Sequence, residues 1–256
     1  MKRDFMEDKL SQLTKKKQRL DKYRPLPPEL VKNLEDWFRV ELTYTSNAIE
    51  GNTLTRQETA LVVEKGLTIG GKTLKEHLEA INLAHAIEYV QTLTHQTKKD
   101  ITLQTICDIH HIILRDIDKK SAGTWRKVAV KISGSQATLP DPIKVPELME
   151  QLIDWLHQTK ENSVHVATDF HLKLVTIHPF VDGNGRTARL IMNLILIQSG
   201  YPPVFIRPEN RLEYINNIEK AESTGNMESY YHFMYEQLEH SLDIYLDTIQ
   251  KSIIKS

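Results

Sequence analysis

The chain has 256 residues, 40% of them hydrophobic and 26% charged, with a formal net charge of -1, the balance of an ordinary soluble globular protein. This near-neutral charge gives no electrostatic argument for nucleic acid or for an anionic membrane surface, and no apolar run approaches the length of a membrane span. Cys107 is the single cysteine; it has no partner for an internal disulfide and fits a reducing, cytoplasmic setting.

Residues 1–35 read as a peripheral helical and linker segment. The N-terminal stretch is basic but lacks an apolar core of signal-peptide length, Lys15-Lys16-Lys17 suits a solvated helix face, and RPLPPEL (24–30) is a proline-rich hinge. Residues 36–100 read as a helical region. Val40, Tyr44, Ala48 and Ile49 recur at helical spacing, and Gly51-Asn52 supplies a stop. Thr55-Arg56-Gln57-Glu58 is a capping-box pattern, and Leu78, Ile81, Ala84 and Ile87 mark one face of a long amphipathic helix. Further helices are predicted around Ile106–Leu114, after Pro146, across Val166–Ile177, and near Glu209–Ala221 and Met227–Ile249. One segment departs from this period. Val128, Val130 and Ile132 alternate, Ser133-Gly134-Ser135 follows, and the chain resumes toward Leu139-Pro140, which predicts a short β-hairpin. The expected fold is therefore mainly α with one small β-ribbon. His110-His111 and the aromatic residues of 228–238 fit structural positions, and no histidine has metal-ligand spacing with a cysteine.

The densest chemistry lies in HPFVDGNGRTAR (178–189). Pro179 disfavours helix at His178, Asp182-Gly183-Asn184-Gly185 is a strong turn composition, and RTARLIMNLILIQ then resumes helical spacing. The block is thus a loop feeding a helix N-terminus, where free backbone N–H groups and the positive dipole end favour anions. Glycines allow close backbone approach, and Arg186 and Arg189 share a face of the first turn. Two arginines there run against the helix dipole unless a carboxylate or phosphate answers them. His178 titrates near neutrality and can take a proton from a hydroxyl, and Asp182 is a hard oxygen ligand suited to Mg2+. On the residues alone, the block is either a plain turn or a site for attack on a nucleotide phosphate.

HPFVDGNGRTAR also resembles the HPFx(D/E)GNGRxxR motif of the Fic family, agreeing at every specified position. The similarity runs from about Ile101 to Tyr235 and includes SAGTWR (121–126) and GYPP (200–203). It implies a Fic-fold helical bundle with a β-hairpin flap, with a Fic core over 101–236 and a C-terminal helix over 237–256. It further implies a protein adenylyltransferase that moves AMP from ATP to a Ser, Thr or Tyr hydroxyl of a target protein. By that resemblance His178 is the general base and Asp182 binds Mg2+ (or Mn2+). Gly183, Asn184, Gly185, Arg186 and Thr187 line the phosphate loop, and Arg189 meets the outer phosphate. Ile132, Ser133, Gly134 and Ser135 form the flap that clamps the target peptide. Close relatives carry a Tyr-Tyr pair and an Asn beside the adenine; the matching positions here hold Tyr214-Ile215 and Glu222.

TSNAIEGN (45–52) is similar to the inhibitory helix of Fic proteins whose brake precedes the core, with Ser46, Glu50 and Gly51 at its signature positions. The resemblance implies that Glu50 pairs with Arg189 in the region of the γ-phosphate. Alternatives on the same site are a hydrolase that removes AMP, a Doc-like kinase and a phosphocholine transferase; Doc-type motifs tend to carry Lys at the position of Gly185. A non-catalytic interaction module is the alternative of a different class. Relatives often form homodimers, which would hold the inhibitory helix in place. Neither nucleic acid nor membrane is expected as a partner.

Overall fold

Helical periodicity becomes ten α-helices in a computed structural model that describes residues 2–132 and 137–253. They are α1 (Lys2–Asp21), α2 (Pro28–Ile49), α3 (Arg56–Lys65), α4 (Leu74–Thr92), α5 (Leu103–Leu114), α6 (Val145–Gln158), α7 (Ser163–Ile177), α8 (Asn184–Gln198), α9 (Arg211–Thr224) and α10 (Glu228–Ile253). Their ends follow the local chemistry. The Thr55–Glu58 capping box forms, with the Glu58 N–H on Thr55 Oγ1 at 3.2 Å and the Thr55 N–H on Glu58 Oε2 at 2.7 Å. A second box, Thr73–Glu76, opens α4. Helix α2 begins on Pro28 and stops at Ile49, before Gly51 at φ 95°.

Helix α8 is the buried axis. Arg186 through Leu196 are all buried, and α7, α5, α4 and α2 pack around it. One hydrophobic core runs from Leu13 to Ile249, with a small satellite of Leu54, Val62 and Ala80 beneath α3. The N-terminal helix belongs to that core: Leu13 and Leu20 are fully buried as α1 lies along α10. Lys16 is not a solvated charge, since it pairs with Glu239 at 2.9 Å and Asp243 at 2.6 Å. Tyr230, Phe233 and Tyr235 of α10 face inward. No helix among the described residues is long and apolar enough to cross a membrane.

The predicted β-hairpin is not found. Neither 124–132 nor 137–141 contains a strand, and Ser133, Gly134 and Ser135 lie outside the described residues. The reason lies in what surrounds the legs. Val128 is 59% exposed, so the apolar alternation has no second layer to pack on. Pro140 and Pro142 remove backbone donors from the returning leg. The two legs are joined instead by the Arg126 guanidinium, which donates to Val128 O at 3.2 Å and Pro140 O at 2.6 Å.

Candidate active site

The loop between α7 and α8 is built from both sides. Helix α7 ends where His178 turns left-handed, at φ 51° and ψ 59°, and its N–H still reaches Leu174 O at 2.9 Å. A non-glycine residue there is strained by about 1–3 kcal/mol, and four hydrogen bonds at and just after it hold the loop. Arg126 Nε donates to His178 O at 2.7 Å, and the Arg126 N–H donates to Pro179 O at 2.8 Å. The Asn184 amide closes the loop, accepting from Phe180 N–H and donating to Phe180 O, both at 2.9 Å.

His110 supports the loop from beneath. Its ring stacks on Phe180 at 3.5 Å and 6°, accepts the Gly123 N–H at Nδ1 and donates from Nε2 to Asp182 O, both at 2.9 Å. Burial pushes its pKa down to about 4, so it is neutral at pH 7. A Cβ on Gly183 would lie 3.2 Å from this ring, on a residue at φ 78°, which restricts the position to glycine.

His178 is half-buried. A carbonyl can only accept, so the 3.3 Å contact of Nδ1 with Val175 O places the proton on Nδ1 and leaves Nε2 free. Burial holds its pKa below the ordinary histidine value, opposed by the Val175 contact and reinforced by the Arg126 charge. The neutral, basic imidazole is therefore the form present at pH 7.

The arginines are paired differently. Arg189 is buried; its Nε donates to Ser46 Oγ at 2.8 Å, and its Nη2 donates to Ser46 O at 3.0 Å and to Glu50 Oε1 at 2.6 Å. Burial opposes its charge most strongly of any single influence, yet the net effect, led by the Glu50 carboxylate, raises its pKa. Glu50 sits at the C-terminus of α2, the unfavourable end of that dipole, yet its carboxylate lies against the first turn of α8. Gly185 makes room for it: a Cβ there would meet Glu50 Oε1 at 2.5 Å and Arg189 Nη1 at 2.9 Å. Arg186 is 2% exposed. It stands 3.6 Å from Glu79 and 3.4 Å from Asp182, and its Nε and Nη1 have no hydrogen-bond partner, a costly arrangement that an anion would relieve.

The Asp182 side chain is 55% exposed and takes the Gly183 N–H on Oδ1 at 2.6 Å; a carboxylate of this kind is chemically suited to a hard cation. Elsewhere, Glu161 just ahead of α7 and His165 and Asp169 on it lie close enough to hold a metal, with His165 bonded to Tyr235 and Asp169 to Tyr231.

The other residues expected at the site are held as follows. The Asn184 side chain bonds the Phe180 backbone at both its amide oxygen and its amide nitrogen. Thr187 is fully buried, and its N–H closes the first helical turn on Gly183 O at 3.0 Å; it belongs to the core face of α8. Tyr214 is 3% exposed, with its hydroxyl 2.7 Å from His171 Nε2. Glu222 accepts from Thr176 at 2.9 Å and lines a groove of about 520 Å³ with Ile177 and Trp155. Ile132 is half-buried.

The sequence reading gave Glu79 no role, took His110 only as structural, and met Arg126 only as part of SAGTWR. The available signal for Arg126 was a lone arginine in SAGTWR, ahead of a coil with no acidic partner nearby in sequence. Arg126→Ala, which frees three carbonyls, is expected to lower stability by about 2–3 kcal/mol. It is also expected to release the His178 backbone, whose carbonyl loses its Arg126 donor; the loss is read from thermal unfolding.

Comparison with known proteins places these observations in a lineage. The profile of the Fic/DOC family matches residues 100–196. Over 206 residues the chain is 37% identical to "Protein adenylyltransferase Fic" of Drosophila grimshawi, spanning 79% of this chain and 42% of that protein. A solved structure of Fic-1 (aa134–508) from C. elegans superposes with a TM-score of 0.88 at 29% identity, covering 97% of this chain and 74% of that one. A Fic domain containing signaling protein from Bacteroides thetaiotaomicron gives 0.83 at 27% identity, covering 95% and 97%. The chain spans less than half the length of the first curated relatives it matches.

Proposed function

The chain belongs to the Fic/DOC family, and from that premise we propose that it transfers AMP from ATP to a hydroxyl side chain of a protein, under restraint by Glu50. Residues 101–236 are then the catalytic core, and 36–100 carry the brake. The observation that carries the reading is the first turn of α8, where helix N–H groups, the hydrogen-bond-deficient Arg186 and the neutral His178 border one loop.

In this account His178 Nε2 takes the proton of the target hydroxyl as its oxygen attacks the α-phosphorus. The new P–O bond forms in line with the bond to the β-phosphate, which breaks and releases pyrophosphate. Gly183 and Gly185 let the loop backbone approach the phosphates, and Arg186 compensates their charge. Asp182 would hold a divalent cation, which neutralises charge on the phosphates when bound. Arg189 is the partner of the terminal phosphate, and Glu50 occupies that partner in the resting chain. The fit rests on the exposed Asp182 carboxylate and the Arg186 nitrogens without hydrogen bonds.

Incubating Glu50→Gly protein and lysate with ATP labelled at the α- or the γ-phosphate tests the reading. Label is expected on protein from α-labelled ATP alone; transfer from γ-labelled ATP would make the chain a kinase. The pH dependence is a second expectation. Because the His178 pKa is depressed, kcat/KM of Glu50→Gly should be level at neutral pH and fall on the acid side, centred below the ordinary value of about 6.5. A rate already falling from pH 8 to 7 would exclude His178 as the base.

A further inference from the structure

Helix α2 meets α8 at its C-terminal end, where Ser46 and Glu50 hold Arg189. Toward its N-terminus the two helices part and leave a cavity of about 650 Å³. Leu34, Phe38 and Leu42, one helical turn apart on α2, form a wall; Ile87 and Val90 of α4 and Leu190 of α8 form the floor. All of these are buried. No residue of the 178–189 loop lines the cavity, so it is separate from the site described above.

The polar groups of the lining decide what such a cavity would take. Asn193 offers nothing, because its amide is closed on Val204, accepting from the N–H at 2.7 Å and donating to the carbonyl at 2.9 Å. Arg24 and Glu35 are exposed and stand at the mouth, and Arg24 is engaged by Asp21 at 2.8 Å and by Gly200 O at 2.9 Å. Arg39 is different. It is half-buried, its Nη1 is paired with the Glu88 carboxylate, and its Nε is buried without a hydrogen-bond partner. A guanidinium presents Nε and one Nη side by side, an edge that matches the two oxygens of a carboxylate. A donor left unanswered beside apolar walls is costly. An anion carried on an apolar body would relieve it, the body displacing water from the walls as the head group meets the arginine.

We propose that this cavity is a binding site for a small amphipathic carboxylate, an apolar chain or ring whose acid group lies on Arg39. Its volume falls within the range of about 300–1,000 Å³ usual for small-molecule sites. An amine is the wrong match, because it would meet the Arg39 and Arg24 charges, while Glu35 is exposed to solvent. A bound carboxylate would touch α2, α4 and α8 together and so favour the folded chain. The inference stands independently of the nucleotide reading.

The test titrates the full chain calorimetrically with decanoate, decanol and decylamine, each kept below its aggregation threshold, and follows thermal unfolding in parallel. Decanoate is expected to bind at a single site and raise the melting temperature, decanol to bind about tenfold more weakly, and decylamine more weakly still. Arg39→Met keeps an apolar stem and removes the guanidinium; it is expected to erase the advantage of decanoate over decanol. The Glu88 side chain is 46% exposed, so this change strands no buried charge. Val31→Trp fills the cavity from its half-buried rim and is expected to weaken decanoate at least about tenfold; if it does not fold, Leu34→Phe carries the same expectation. Absence of decanoate binding, equal affinity for decanoate and decylamine, or a preference for decanoate over decanol that survives Arg39→Met overturns the inference. So does unchanged binding in a folded cavity-filling variant.

Discussion

Glu50→Gly is expected to raise self-modification by ATP on the order of 10- to 100-fold. The estimate comes from the contact that is removed. Glu50 Oε1 lies 2.6 Å from Arg189 Nη2, and a charge-assisted hydrogen bond of this kind is worth about 1.5–3 kcal/mol. A terminal phosphate must displace that carboxylate to reach the same guanidinium. The side chain of Glu50 is 35% exposed, so it can swing outward; Arg189, at 6% exposed side chain, has nowhere to go. Breaking a buried pair usually costs stability by stranding a charge. Here Ser46 still supports Arg189 through its hydroxyl and its carbonyl, so the variant is expected to fold, with a lower melting temperature in the absence of nucleotide and a larger gain on adding ATP than the unaltered chain. The measurement is the initial rate of AMP incorporation at matched protein concentration. Equal rates for the two proteins would show that Glu50 restrains nothing.

His178→Ala in the Glu50→Gly background is expected to lower transfer by about 10²–10⁴, the usual contribution of a positioned general base. ATP affinity should stay within about threefold, because no phosphate partner of the loop is removed. The position is left-handed, so alanine adds backbone strain as well as removing the imidazole. His178→Asn separates the two effects, since asparagine tolerates that region. If both variants bind ATP and only the imidazole matters, they should be equally inactive. Retention of more than a tenth of the rate in either would assign the proton to another acceptor.

Much of this arrangement was legible in the chain. The helices were readable because their apolar residues recur every 3.6 positions, and α8 in particular runs from a glycine-rich turn into a continuous apolar stretch. The pairing of Ser46 and Glu50 with Arg189, 139 residues apart for the carboxylate, was accessible through motif likeness alone; no local rule links α2 to α8. The hairpin misled because period-2 alternation at Val128, Val130 and Ile132 looks the same whether or not a second strand is present, and the legs are tied by Arg126 instead. Asn184 and Thr187 were named for the phosphate loop by motif likeness, and where their side chains point was not readable, since side-chain direction at a helix start depends on three-dimensional packing that spacing does not encode. The buried line of hydrogen bonds from Tyr214 through His171 and Tyr230 to Thr168 O was illegible for the same reason. Its members come from α7, α9 and α10, and each alone is an ordinary core residue.

Intact mass spectrometry of the purified chain after incubation with ATP and Mg2+ tests the central claim most directly, comparing the unaltered protein, Glu50→Gly and Glu50→Gly with His178→Ala. Addition of one or more AMP groups is predicted for Glu50→Gly, with little or none on the other two. A phosphate mass in place of AMP, or equal addition across all three proteins, would contradict the account.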